Sequence, residues 1–550
     1  MSIDPVLLEP RRETMTRLGL WRGRTVLDDF ERNLARDPDR TALVCHDATT
    51  GGRRAFTNRE LDREVTAVAG FLVSLGVKRG EVVSYQLPNW WQFFALHLAC
   101  LRIGAVTNPL MPIFRRRELA FMLDHGEAVV VFHPSSFRGF DYDEMYRELV
   151  PSLPRIRHAV SIGTPTDDRL EPLIAPFRDR PLPAEATAGR AGPNDVIEIL
   201  YTSGTTGEPK GVMHTSNTMF ANLDPYGARL GLGRDDVFLM ASPMAHQTGF
   251  MYGMMLPISL DCPTVLLDIW IPAKAAEVIA REGVTFTMAS TPFLTDLTAI
   301  AEADQAPFAT LAKFLSSGAP IPRILMRRAS EHLGARIISG WGMTENGAVT
   351  TTRLDDPPDK VFETDGCPMP GMEIRVVDFD GTSVPTGQEG RLQVRGCSNF
   401  VGYLKRPQWN ATDAEGWFET GDVARMDADG YIRITGRAKD IIIRGGENIP
   451  VVEIEGLLYR HPAIADAAVV AMPDPRMGER ACAFVVLRPG AEPLTLATLS
   501  AFLLENGISR TYLPERLELV GELPRTQTGK IQKFRLREVA ATLTADTTRG

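Results

Sequence analysis

The run Ile199-Leu-Tyr-Thr-Ser-Gly-Thr-Thr-Gly-Glu-Pro-Lys-Gly211 is the most informative stretch of the chain. It follows a β-branched, apolar segment, Val196 to Leu200, that reads as a strand. Gly204, Gly207 and Gly211 permit backbone angles that side chains resist, and successive free N–H groups in such a turn can converge on one anion. Thr202, Ser203, Thr205 and Thr206 add hydroxyl donors and Lys210 adds a charge, a set that suits a polyphosphate. The run is not a Walker A loop, because no Gly-Lys-Ser/Thr stands four residues after a glycine. A plain soluble Ser/Gly loop is the competing reading of such a composition on its own.

Upstream, helix and strand signals alternate. Thr57-Asn58-Arg59-Glu60 is a capping box, and Leu61, Val65, Val68 and Leu72 recur at helical spacing behind it. Glu81 to Leu87 reads as a strand, Trp90 to Ile103 as a helix and Ala105 to Asn108 as a strand. That alternation predicts parallel sheets covered by helices. A Pro/Gly/Ala-rich stretch, Pro181 to Asn194, interrupts it. Beyond Gly371 the period falls to two in Ile374-Arg-Val-Val and Arg391-Leu-Gln-Val-Arg, which predicts a β-rich lobe. After about Lys439 the texture changes again, with helices at Val451 to Tyr459 and Leu496 to Glu505 and strands at Ala467 to Met472 and Ala481 to Leu487. The expected architecture is α/β in a large multi-lobed N-terminal domain, residues 1–438, followed by a small mobile α+β C-terminal domain, residues 439–550.

Three further runs carry chemistry. Gly340-Trp-Gly-Met-Thr-Glu345 sets a carboxylate beside a hydroxyl, which suits a hydrated Mg²⁺ and a phosphate oxygen, while Trp341 could stack on a base. Read alone, the run is better explained by a packed Trp and a solvated Glu. Glu419-Thr-Gly-Asp422 places an aspartate able to accept from two ribose hydroxyls, or to cap its own turn. Pro524-Arg-Thr-Gln-Thr-Gly-Lys530 puts a lysine on a glycine hinge. Alone, it would be an ordinary surface lysine.

In this order and at these separations, from about Thr25 to Lys533, the four runs resemble the adenylate-forming superfamily of acyl-CoA synthetases, aryl-CoA ligases, luciferases and peptide-synthetase adenylation domains. Leu266-Leu-Asp-Ile269, Arg444-Gly-Gly-Glu-Asn-Ile449 and Lys530-Ile-Gln-Lys-Phe534 carry a narrower likeness to short- and medium-chain fatty acyl-CoA and cyclohexanecarboxylate–CoA ligases. The resemblance implies ATP and Mg²⁺ at the site and CoA as co-substrate. It assigns the Tyr201–Gly211 loop, Thr202 to Gly207 and Lys210 included, to the β- and γ-phosphates, and Thr344 and Glu345 to the α-phosphate and Mg²⁺, with Glu345 the metal ligand. Trp341 takes the adenine-facing aromatic position, where Tyr or Phe is commoner, and Gly318-Ala319-Pro320 flanks the other face. Asp422 and Arg437 correspond to the ribose contacts. Lys530 corresponds to the lysine that reaches both carboxylate and α-phosphate, Lys439 to the hinge, which is acidic in many relatives, and Gly445 and Gly446 to the pantetheine passage.

Residues Val237 to Leu260 contain no Asp, Glu, Lys or Arg. By resemblance His246, Thr248, Gly249 and Phe250 border the acyl pocket, with Ser290 to Pro292, Ser316 and Ser317 completing it. The methionines and aromatics here could equally fill a buried helix. An uncharged wall favours a neutral short- or medium-chain fatty or alicyclic acid, and the alternatives are an aryl or steroid-side-chain acid. It disfavours amino acids and dicarboxylates. Ligation to a carrier protein is a second acceptor option, and a non-catalytic nucleotide binder is the reading from another class.

Composition narrows the remainder. The 550 residues carry a net charge of −9, with 44% hydrophobic and 23% charged residues, which fits a globular protein and excludes a disordered or fibrous one. No basic block points to nucleic acid, and the acidity weighs against a membrane surface. The apolar run Phe250 to Leu260 is broken by Pro257 and too short to span a bilayer. Neither terminus reads as a targeting signal. Six scattered cysteines without a CxxC pair read as free thiols, so the expected setting is the cytoplasm. No G-x-S-x-G elbow and no G-x-G-x-x-G run is present. The expected partners are a small carboxylic acid, ATP and CoA, for a monomer or homodimer.

Overall fold

A computed structural model describes residues 3–202, 208–318, 321–378, 380–444, 447–525 and 530–543. The Thr57–Glu60 capping box opens the helix Asn58–Ser74, with the Thr57 hydroxyl accepting from the Glu60 N–H and the Glu60 carboxylate accepting from the Thr57 N–H. Leu61, Val65, Val68 and Leu72 are its fully buried stripe. It packs on Trp91–Ile103, in which every residue except Arg102 is buried. A helix apolar on every side is an interior helix.

Among the described residues a six-stranded sheet runs Lys210–Thr215, Val196–Thr202, Val106–Pro109, Val82–Tyr85, Ala128–His133, His158–Ser161. It is parallel except where Val196–Thr202 and Lys210–Thr215 form an antiparallel hairpin. A nine-stranded sheet has a parallel centre built from Arg336–Met343, Lys313–Ser316, Phe286–Ala289, Phe238–Met240, Thr264–Leu267 and Thr41–His46, with antiparallel strands at both edges. Its central strands are buried apolar runs, as a sheet covered on both faces requires. The period-two segments after Gly371 form a four-stranded antiparallel sheet, Met372–Val377, Glu389–Gly396, Phe418–Met426, Ile432–Arg437.

From Ile442 onward a smaller sheet has a core on each face. Along Ile464–Asp474 and Gly478–Leu487, residues Ala467, Val469, Ala481, Ala483 and Val485 face one core. Their neighbours Ala468, Val470, Met472, Cys482 and Phe484 face the other. This is the side-chain alternation of a pleated strand. Val451–Leu458 and Leu496–Glu505 contribute to the first core and Lys533–Ala540 to the second. The architecture is thus a large α/β body with a β-rich lobe and a smaller C-terminal α+β domain. Among the described residues no helix is long and apolar enough to cross a membrane, and the six cysteines are free thiols.

Candidate active site

In parallel α/β sheets, ligands bind beyond the carboxyl ends of the strands. The motif residues collect there. Trp341 lies near the end of Arg336–Met343 with Thr344 and Glu345 just past it, and Gly318 lies two residues beyond Lys313–Ser316. Thr202 ends its strand in register with Lys210 across the hairpin. Ser203, Gly204, Thr205, Thr206 and Gly207 lie outside the described residues, as do Ala319, Pro320, Gly445 and Gly446.

The β-rich lobe supplies the next wall. Asp422 and Arg437 are register partners on neighbouring strands, and the guanidinium Nε lies 2.8 Å from Asp422 Oδ1. The Trp341 indole Nε1 donates to Asp422 Oδ2 at 2.9 Å. One buried carboxylate therefore orients both an aromatic ring and a cation. The indole edge is committed to that bond, and the ring is largely buried.

Lys530 is half-buried at this junction. A β-carbon added to Gly318, which sits at φ +85°, would lie 3.9 Å from Lys530 Cε. Burial pushes the ammonium down to about 8, assisted by the Arg437 charge and opposed by Asp422 and Glu345. His246 lies within reach of the Lys530 charge and is pushed down to about 3 by burial and then by that charge, so its imidazole is neutral. The lysine of the last sequence run thus lies near residues of two earlier ones, Glu345 and Asp422. Lys439 lies in the short turn Ala438–Asp440 between the β-rich lobe and the smaller domain, and Asp440 is ion-paired with Arg537 of the C-terminal helix.

Two positions not singled out in the sequence hold Thr344 and Glu345. His214 Nε2 lies 2.8 Å from the Thr344 carbonyl, which can only accept, so Nε2 carries the proton. Burial lowers His214 to about 4 and keeps it neutral. The Tyr403 hydroxyl donates to Glu345 Oε1 at 2.7 Å. The same tyrosine lies under Lys210, whose Nζ is 4.8 Å from its ring centroid and 5.6 Å from that of Trp409. Both residues stand in or beside Gly402-Tyr-Leu-Lys-Arg-Pro407, where the signal was an aromatic in a glycine-started, basic turn.

The uncharged segment folds differently from a simple pocket wall. Thr248–Met255 is a π-helix continued by the α-helix Leu256–Leu260. Such i→i+5 turns are rare and frequent at functional sites. Phe250 is fully buried, edge-on to His97 at 4.7 Å and to Phe93 at 6.3 Å. Met251, Tyr252, Met254 and Met255 are buried with it, and the Tyr252 hydroxyl donates to Asn222 Oδ1 at 2.6 Å. Gly249 is a close approach, since a β-carbon there would sit 2.3 Å from the Pro243 carbonyl oxygen. The Thr248 N–H donates to His246 Nδ1 at 3.3 Å. His246 thus feels the Lys530 charge, whereas Phe250 packs into the core.

Among the described residues no group of three or more His, Cys, Asp or Glu could hold a metal. A lone carboxylate beside a hydroxyl fits a Mg²⁺ delivered by phosphates rather than a resident metal, since Mg²⁺ is commonly held by one or two carboxylates and substrate phosphates.

Residues 30–404 match the family model of the AMP-binding enzymes, and residues 453–530 match that of the AMP-binding enzyme C-terminal domain. The chain belongs to the AMP-binding enzymes. This AMP-binding enzyme is 36% identical to the medium-chain fatty-acid–CoA ligase of Escherichia coli (strain K12), over 99% of this chain and 96% of that one. It is 35% identical to a salicylyl-CoA synthase / salicylate adenylyltransferase of a Streptomyces species, over 95% and 94% of the two chains. Its structure matches an anthranilate CoA ligase in complex with anthranoyl-AMP with a TM-score of 0.85 at 26% identity, covering 96% of this chain and 99% of that one. The AMP-binding enzyme is accordingly an AMP-forming acid ligase of the adenylate-forming family.

Proposed function

We propose that this chain is an ATP-dependent carboxylic acid–CoA ligase acting on a neutral short- or medium-chain fatty or alicyclic acid. The carboxylate attacks the α-phosphorus and expels pyrophosphate. The CoA sulfur then attacks the acyl-adenylate and AMP leaves. The observation that carries the reading is the burial of Lys530 beside Glu345, the Asp422–Arg437 pair, Gly318 and His246. A cation there meets both anions of the first step, the acid and the α-phosphate.

Attacker and leaving group are both anionic, so catalysis is charge neutralisation and positioning. The acid is already ionised at neutral pH, so no general base is needed. In this reading Lys530 neutralises the reacting carboxylate and α-phosphate. Lys210, with Thr202 and the 203–207 run, receives the β- and γ-phosphates. Asp422 and Arg437 take the ribose, and Trp341 and the 318–320 segment take adenine. Thr344 and Glu345 would hold the Mg²⁺ that accompanies ATP and screens its phosphate charge. Neutral His246, with Thr248 and Gly249 behind it, borders the acyl group. Lys439 would be the hinge between domains 1–438 and 439–550, about which Lys530 is exchanged for Gly445 and Gly446 and the pantetheine arm.

A second reading, an aryl acid with either CoA or a carrier protein as acceptor, is favoured by the salicylate relative, whose identity is nearly equal to that of the fatty-acid relative. One assay separates them. The enzyme is given ATP, Mg²⁺ and CoA with C2 to C12 fatty acids, cyclohexanecarboxylate, benzoate, salicylate and a steroid side-chain acid, scored for AMP and acyl-CoA. AMP and thioester peaking together on an aliphatic or alicyclic acid is the expected result. A maximum on an aryl acid selects the second reading, AMP without thioester moves the acceptor to a carrier protein, and ADP as product overturns both.

A further inference from the structure

Tyr403 touches two charged groups that lie far apart in the sequence. Its hydroxyl donates to Glu345 Oε1 at 2.7 Å, and its ring face lies under the Lys210 ammonium at 4.8 Å. Glu345 and Tyr403 are both largely buried, at 6% and 4% exposure, so the hydroxyl is a structural partner of the carboxylate and not a passing surface contact. A second ring, Trp409, stands 5.6 Å from the same ammonium. Among the described residues Lys210 meets these two aromatic faces and no carboxylate.

Backbone contacts fix this arrangement. The Phe400 N–H donates to the Glu345 carbonyl at 2.6 Å, the Leu404 N–H to the Gly211 carbonyl at 2.8 Å and the Val401 N–H to the Met213 carbonyl at 3.0 Å. The Tyr403 segment is thereby stitched to the Thr344–Glu345 turn and to the Lys210 strand.

We propose that Tyr403 is a positioning residue that sets the two charged contacts of the ATP phosphates. Its hydroxyl occupies Glu345 Oε1 and leaves Oε2 for the cation. Its ring, with Trp409, holds Lys210 without neutralising it, because an aromatic face attracts an ammonium without supplying the counter-charge that a carboxylate would. A carboxylate in place of either ring would compete with phosphate for the lysine. The inference rests on the proposed roles of Glu345 and Lys210.

The two functions of Tyr403 separate by substitution, and calorimetric binding of ATP reads them apart from turnover. Titrations with Mg²⁺ and with EDTA are compared for wild type, Tyr403→Phe, Tyr403→Leu and Trp409→Leu. Tyr403→Phe keeps the ring and is expected to weaken Mg²⁺–ATP binding about tenfold or more, the worth of one hydrogen bond to a charged group, while metal-free ATP changes less than about twofold. Trp409→Leu is expected to weaken both forms alike, by about threefold. Tyr403→Leu combines the two losses. If that variant fails to fold, the Tyr403→Phe and Trp409→Leu pair still decides the matter, since Tyr403→Phe is isosteric apart from the hydroxyl and Trp409 is only half-buried. Tyr403→Phe that leaves both affinities unchanged, or weakens both equally, overturns the inference. Wild type that binds no ATP in either buffer overturns the functional reading instead.

Discussion

The nucleotide half of the site and the acyl half are built on opposite principles. In the nucleotide half the charged and hydrogen-bonding side chains have specific partners at short range. Trp341 and Arg437 share Asp422 at 2.9 and 2.8 Å, Glu345 takes Tyr403 at 2.7 Å, and His214 holds the Thr344 carbonyl at 2.8 Å. In the acyl half, 24 consecutive positions from Val237 to Leu260 carry no charge at neutral pH apart from what His246 could gain, and His246 is held neutral. Hydrogen bonds there are few: Tyr252 bonds Asn222, and the buried Gln247 side chain lies by the Glu198 carboxyl with no charged partner for either among the described residues. Charge needs particular partners, so it fixes residue types at fixed places. Apolar packing needs only volume, so one composition serves a pocket and a core.

That contrast predicts unequal responses to mutation. The largest belongs to Lys530. Lys530→Ala is expected to slow adenylation about a thousandfold, roughly 4 kcal/mol of lost electrostatic stabilisation, while thioester formation from a preformed acyl-adenylate stays within severalfold. The half-reactions are followed separately, by pyrophosphate release and by thioester. Equal losses in both would place Lys530 in the fold rather than in the first step. Because its ammonium is held down to about 8, the charged form dominates below that pH. Adenylation kcat/KM should therefore fall as pH rises through about 8, and Lys530→Arg should remove that alkaline limb whatever its absolute rate.

Asp422→Asn comes next. The amide keeps the volume but removes the charge opposite Arg437 and one of the acceptor oxygens. ATP KM is expected to rise about tenfold to thirtyfold, with kcat falling less, consistent with roughly 1.5–2 kcal/mol for a charge-assisted contact. A drop in kcat at unchanged KM would move Asp422 from nucleotide binding to the reacting centre.

Legibility followed the same division. The capping box at Thr57 and Glu60, the stripe Leu61–Val65–Val68–Leu72 and the period-two runs Ile374–Val377 and Arg391–Arg395 are local patterns, and the elements formed where the patterns stood. Asp422, Arg437, Glu345 and Lys530 were legible because each motif carries its charge with it. Tyr403 was not, because a tyrosine in a basic turn gains meaning only from a carboxylate 58 positions away that the fold brings to it. Phe250 shows the limit from the other side. Its edge-on packing against His97 and Phe93 is a detail that a Met- and aromatic-rich run does not encode.

The smallest effect tests the dry half directly. Glu198 is fully buried on Val196–Thr202, and burial drives its carboxyl well above the usual carboxylate range, with the nearby Gln247 amide opposing only in part. Among the described residues the groups around it supply no cation. Tyr85 has its hydroxyl raised by burial, and His97 is pushed down to about 3 and bonded through Nδ1 to Thr107. A carboxyl raised in the folded state contributes its full stability below the unfolded value, near 4, and loses it as pH rises toward the folded value. In wild type that loss is about 1.4 kcal/mol per pH unit across the window. Glu198→Gln is neutral in both states and escapes it. The variant should melt close to wild type at pH 5 and a few degrees higher at pH 8, at one scan rate for all samples. A difference that stays flat between the two pH values would mean that Glu198 is ionised in the folded enzyme. The wall behind His246 would then hold a charge after all, and the contrast with the nucleotide half would fail at that point.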